Sequence, residues 1–118
     1  MNLEFKISDQ FIETDFGCLE YDMDDDSIVV NSINVYLKRC QIGTKLVRQL
    51  EKIAKEKKIS IIAVPASPTY EAVSFWYAMN YKPSTKEDKY WFNKLIRSHY
   101  ERIETLSGVI VFNKKLKK

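Results

Sequence analysis

The sequence predicts an α/β (mixed α+β) fold, a central mixed and mostly antiparallel sheet with one βαβ crossover, and three observations carry that prediction. The first third is strand-like and culminates in Ile28, Val29, Val30, Ile33 and Val35, β-branched residues that pack well on a pleated surface. The period then changes: Leu46, Val47, Leu50, Ile53 and Ala54 fall on one face of an α-helix. A short apolar run, Ile59-Ser60-Ile61-Ile62-Ala63-Val64, follows and suits a buried strand parallel to the one before the helix. Strand, helix and strand in that order imply a right-handed crossover.

Taken in order, strands are expected at 4–7, 16–22 and 27–37, the last two joined by the acidic turn Asp24-Asp25-Asp26. The first helix should run from Thr44 and close on Lys55, Lys57 and Lys58, cations at its negative end. Ser67 can cap a second helix with Pro68 in its first turn, running to about Met79 and stopped by Asn80. Phe92, Leu95, Ile96, His99, Ile103 and Leu106 keep a helical period, so a third helix is expected within 86–106, ended by Gly108; Tyr90-Trp91-Phe92 would also suit a strand. Val109-Ile110-Val111-Phe112 is the last strand, followed by a basic tail.

With 118 residues and no internal repeat or linker, one domain spanning 1–118 is expected, large enough to bury a core without staples. Two cysteines, Cys18 and Cys40, cannot form a disulfide framework, and with a single His no Cys/His metal centre is expected. The mixed charge of 1–6 and the lack of an apolar stretch of about 18 residues point to the cytoplasm rather than to export or a membrane. Nineteen basic against sixteen acidic residues give +3, too little alone to call for a polyanion. A nucleic-acid partner is not expected either, because no aromatic residue interleaves Lys55, Lys57 and Lys58 or the tail lysines Lys114, Lys115, Lys117 and Lys118.

Chemistry is expected at Lys38-Arg39-Cys40-Gln41-Ile42-Gly43-Thr44, between the strongest strand and the strongest helix. Ligands of α/β sheets bind at strand carboxyl ends against helix starts, whose unpaired N–H groups and positive dipole end favour a phosphate. Lys38 and Arg39 add charge of the right sign, and Gly43 would admit a close approach. The segment is neither a P-loop, which needs Gly-Lys-Ser/Thr after a Gly-rich stretch, nor a dinucleotide loop, which needs three glycines.

It resembles the pyrophosphate loop of the GNAT superfamily of acyl-CoA-dependent N-acyltransferases, Gln/Arg-x-x-Gly-x-Gly/Ala, with Lys38 and Gln41 as departures. Further on, Ala72-Val73-Ser74-Phe75-Trp76-Tyr77-Ala78-Met79-Asn80-Tyr81-Lys82-Pro83 is similar to the family's Ala-x-x-Phe-Tyr-x-x-x-Gly-Phe-x-Pro, departing at Trp76, Asn80 and Tyr81. The resemblance implies acetyl-CoA as co-substrate, without a metal. The backbone of Ile33, Asn34 and Val35 would hold the pantetheine arm, and Lys38, Arg39, Cys40, Gln41, Ile42, Gly43 and Thr44 would cradle the pyrophosphate. Thr69 stands where the family often places an Asn that touches the cofactor arm.

The family's acid, the Tyr of Phe-Tyr, corresponds to Trp76, so Tyr77 is the candidate that would protonate the departing thiolate. A primary amine with a pKa near 10 must lose a proton before it attacks, and the candidate bases are Asp26 and Glu20. His99 and Cys40 receive no chemical role. The expected activity is transfer of an acetyl group from acetyl-CoA to a primary amine by direct attack in a ternary complex, with β-strand N–H groups near Val35 as oxyanion donors. Little precedes the second strand, where the family usually has helices walling the acceptor site, so a protein or peptide amine such as a lysine is the expected acceptor. The alternative is a CoA-binding or protein-binding module that has kept the fold and lost the chemistry.

Overall fold

The computed structural model describes residues 3–38 and 40–116. Its elements are β1 (Lys6–Ile7), β2 (Phe11–Thr14), β3 (Gly17–Met23), β4 (Ser27–Val35), α1 (Ile42–Glu56), β5 (Ile61–Ala66), α2 (Tyr70–Ala78), β6 (Lys82–Pro83), α3 (Lys86–Ser98) and β7 (Ile110–Lys115). The strands form one seven-stranded sheet in the order β1-β2-β3-β4-β5-β7-β6, so the mixed α/β fold read from the sequence is the fold observed. The chain divides into two compact units, Met1–Ile62 with Lys115–Lys118, and Ala63–Lys114. No helix among the described residues is long and apolar enough to cross a membrane.

In the first unit β1 to β4 make an antiparallel meander. Alternation along β3 buries Leu19 and Tyr21 while Cys18, Glu20 and Asp22 face away, as a strand with one covered face requires. Ile12, Ile28 and Val30 join them, and α1 supplies Ile42, Leu46, Val47, Leu50 and Ala54 to the same core. Glu51 is buried among these residues because Arg48 Nη1 donates to its carboxylate at 2.7 Å. The acidic turn closes on Asp24, whose side chain accepts from the N–H groups of Asp26 (2.9 Å) and Ser27 (2.7 Å) and from the Ser27 hydroxyl. Those three donors hold its carboxyl below the ordinary value of 3.8, the Asp26 N–H acting most strongly.

In the second unit Val64, Val73, Trp76, Tyr81, Leu95, Ile110 and Phe112 form the core. The N-cap of α2 is Thr69 rather than Ser67, its hydroxyl accepting from Ala72 N–H at 3.2 Å, and Pro68 lies outside the helix. Asn80, at φ 70, turns the chain after α2 as expected. Thr85 and Asp88 make a reciprocal capping box at the start of α3. Asp88 also accepts from Val111 N–H at 3.0 Å, which ties the helix start to β7.

Several boundaries differ from the sequence reading. The third helix stops at Ser98, because His99 adopts the left-handed conformation (φ 56), and it never reaches Gly108. Ile103 is still buried, but Leu106 is 92% exposed. Tyr90, Trp91 and Phe92 are helical. The strand expected at 59–64 runs instead as Ile61–Ala66, with Ile59 buried just before it. β2 and β6 add short strands that the sequence reading did not contain.

Candidate functional site

β4 leads the chain directly to the segment singled out by its motif. Val35 pairs with Gly17, and Tyr36 N–H donates to Phe16 O at 2.7 Å, so the ladder continues one residue past the strand. Tyr36 then stands 68% exposed, followed by exposed Leu37 and Lys38 and half-buried Cys40. Arg39, one of the expected pyrophosphate ligands, lies outside the described residues, as do Lys117 and Lys118 of the tail.

Gln41 is the N-cap of α1, with φ 56 and ψ 30. This left-handed conformation favours glycine, and Gln41 occupies the position that the resemblance gives to the loop's first Gly. The side chain departs from the motif while the backbone keeps the geometry that a Gly would adopt. The helix therefore begins at Ile42, two residues earlier than expected, which puts Gly43 and Thr44 in its first turn rather than in the loop. Gln41 makes no side-chain cap, and the first turn carries no acid. The N–H groups at this end are thus left without either device that satisfies and neutralises a helix start.

The segment expected to bind the pantetheine arm is a regular part of the ladder: Ile33 lies opposite Leu19, Asn34 opposite Cys18 and Val35 opposite Gly17. Just before it the register shifts, since Glu20 pairs with Ser32 and Tyr21 with Val30, so Asn31 is the extra residue of a β-bulge. Bulges re-aim strands and interrupt pairing. Glu20, one candidate base, flanks this bulge, and its carboxylate accepts from Ser32 Oγ at 3.4 Å. Asp26, the other candidate, sits at the opposite end of the nine-residue strand, about 30 Å from Val35 by strand rise. Its carboxylate accepts from Ser60 Oγ at 3.2 Å. The structure thus brings Glu20 beside the arm segment and leaves Asp26 away from it.

Cys18 lies across from Glu13 and Asn34 on the face that also carries Glu20. Burial first, then the charges of Glu13 and Glu20, push its thiol above the ordinary value of 9.0. It stays protonated near neutrality and is no nucleophile.

In the second unit, Trp76, at the family's acid position, is buried and meets Phe75 and Tyr81 edge-on. Tyr77 is 45% exposed, with its ring stacked on Phe92 at 5.0 Å and the Lys82 ammonium 4.4 Å from its centroid. Thr69 uses its oxygen as the α2 cap and bridges to Arg102 through the backbone.

Sequence reasoning missed Gly17. A Cβ there would meet Asn34 O at 2.9 Å and the Ile42 Cγ2 methyl at 3.0 Å, so only a glycine lets α1 seat on β3 beside the arm segment. A glycine inside a strand pattern is a signal of close approach and was there to be read. The bulge at Asn31 carries no comparable signal.

No protein-family model and no curated protein matches the chain. Solved structures do. The crystal structure of the anti-CRISPR protein AcrVA5 matches with a TM-score of 0.63 and 15% identity, over 88% of this chain and 95% of that one. A GNAT family acetyltransferase from Elizabethkingia anophelis, with acetyl-CoA bound, matches with a TM-score of 0.60 and 13% identity, over 90% and 74%. N-acetylglutamate synthase from Neisseria gonorrhoeae, complexed with coenzyme A and N-acetyl-glutamate, gives 0.59 and 16% over 92% of this chain, which spans 25% of that enzyme. At such identities the likeness is one of architecture, and the architecture of this chain is the GNAT fold.

Proposed function

We propose that the protein is an N-acetyltransferase that passes the acetyl group of acetyl-CoA to a primary amine. The observation that carries this reading is the start of α1, an uncapped helix N-terminus with no acid in its first turn, at the end of β4 and beside Lys38. Its N–H groups and dipole suit a pyrophosphate. The fold neighbours that hold acetyl-CoA or coenzyme A support the same choice of ligand.

With pyrophosphate at the loop and the arm along Ile33, Asn34 and Val35, the acyl end would fall at the bulge, beside Glu20. Glu20, directly or through water, takes the extra proton of the ammonium, the freed amine nitrogen attacks the thioester carbon, and backbone N–H groups of β4 stabilise the oxyanion that forms. The C–S bond then breaks, the nitrogen releases its second proton to solvent, and the thiolate takes one from an acid or from solvent. Cys18, held as a thiol by burial and by Glu13 and Glu20, favours direct transfer over a route through an acylated Cys18. Tyr77 is the candidate for that acid. Only strands lie between Leu3 and Ser27, so no helix from that stretch walls the β3–β4 face. An unwalled face favours a protein or peptide amine.

Acetyl-CoA at a hundredfold excess over Kd should stabilise the fold by about 2.7 kcal/mol and raise Tm by about 10 °C. Gly43→Asp adds a charge that suits a helix start yet repels phosphate, so it should keep the fold and abolish the shift. Absence of a shift in the wild-type protein would overturn the reading. With a peptide library as acceptor, Glu20→Gln and Tyr77→Phe should each lower kcat by about 10² to 10⁴ if they move protons, with CoA affinity unchanged. Binding without any turnover would leave a CoA-binding module in place of an enzyme.

A further inference from the structure

The cations for which the sequence offered no aromatic company are in the tail and at the end of α1; α3 is different. At about 100° per residue, Lys89, Asn93, Lys86, Arg97, Tyr90 and Lys94 fall in that angular order within an arc of about 140°. Lys86, Lys89, Lys94 and Arg97 are exposed, and Tyr90 stands 57% exposed among them. No acidic side chain lies inside the arc, although Glu87 borders it next to Lys94. The opposite side of the helix carries Asp88 and Leu95 into the core, so the arc is the face that α3 turns to solvent. Lys94 also sits over the Trp91 ring, 5.4 Å from its centroid.

From Lys86 to Arg97 the arc is about 16 Å long, the reach of a few nucleotides. Four cations in a row would satisfy an acidic peptide as well as a phosphate backbone. The exposed ring in the middle of the row decides between them, because a base offers a π-face to stack on and a carboxylate does not. We propose that this face of α3 is a docking surface for single-stranded nucleic acid, its cations tracking the phosphates and Tyr90 stacking on a base. The proposal does not depend on the acetyltransferase reading.

The test is fluorescence anisotropy with a labelled mixed-sequence RNA of about twenty nucleotides, long enough to cover the arc. Between about 50 and 200 mM KCl, wild-type binding should weaken with a slope of log K against log salt near −2.8, as for four phosphates. The combined Lys86→Gln, Lys89→Gln, Lys94→Gln and Arg97→Gln protein should bring that slope close to zero, with its urea midpoint unchanged to show that it still folds. Tyr90→Ala should cost about tenfold in affinity at an unchanged slope, and less on a duplex of the same sequence. No binding at the lowest salt would overturn the proposal. So would a slope that survives the fourfold substitution, indifference to Tyr90→Ala, or equal binding of a poly-glutamate peptide, which would mark the arc as a surface for an acidic protein.

Discussion

The helix starts of the two units are built on opposite plans. In the second unit, α2 begins on Thr69 with Glu71 in its first turn, and α3 begins on the Thr85–Asp88 box with Glu87 beside it. Each has a side-chain acceptor for its early N–H groups and a negative charge at its positive end. In the first unit, α1 begins on a left-handed Gln41 with neither. Two ends are closed by their own side chains, and the third has neither a side-chain cap nor an acid in its first turn, which is the contrast the proposed pyrophosphate site rests on.

The comparison breaks most visibly at Asp88. Asp88→Ala removes a buried acceptor of three hydrogen bonds, from Thr85 N–H at 3.1 Å, Thr85 Oγ1 at 2.7 Å and Val111 N–H at 3.0 Å. A loss of about 3 kcal/mol is expected, read as a lower urea midpoint at constant m. The simple caps come next. Thr69→Ala should cost about 1 kcal/mol. Gln41→Gly should act in the opposite direction and stabilise by about 1 kcal/mol, because it relieves a left-handed side-chain residue and removes no cap. If Gln41→Gly destabilises instead, Gln41 is supporting the helix start and the contrast between the units is lost.

The smallest effect belongs to the Asp24 turn of the first unit. Its folded value is depressed, so its contribution is present above the unfolded value and fades as pH falls through the folded one, below the ordinary 3.8. Asp24→Asn should flatten the acid side of a urea-midpoint profile, matching wild type at the lowest pH and falling slightly below it at neutral pH. A profile identical to wild type throughout would show that the ionised Asp24 carboxylate contributes nothing to stability.

Much of the architecture was legible because it rests on strong periods. β4 and α1 combine β-branched and helical patterns with buried apolar residues, Ile28 and Val30 on one and Leu46, Val47, Leu50 and Ala54 on the other, and both were placed to within two residues. β2 escaped because its four residues bury only Ile12, too little for an alternation to register. β6 escaped because it is two residues long and contains Pro83, which suits only a sheet edge. The third helix was read too long since Ile103 and Leu106 keep its period, and that period outweighed His99, a residue type enriched in the left-handed region where it stops the helix. At the candidate site, the junction of β4 and α1 was legible from the change of period. The backbone of Gln41 and the extra residue at Asn31 were not, because each is a conformation imposed by neighbouring structure rather than a preference of the residue. Glu20 and Asp26 looked alike as carboxylates near the main strand, and only strand direction and register place one beside the bulge and the other at the far end.

Gly17 sets the mechanical character of the site. With no side chain between them, Ile42 and Leu46 of α1 come close to the backbone of the β3–β4 ladder at Gly17. The space that a Cβ on Gly17 would need is lined by Asn34 O, the Ile42 methyl and Leu46, so a side chain there would push α1 away from the ladder and loosen a close-packed interior. Strand end and helix start are therefore braced against each other at Gly17. The ligand proposed for this place would meet amide donors whose ordering entropy was already lost when the chain folded.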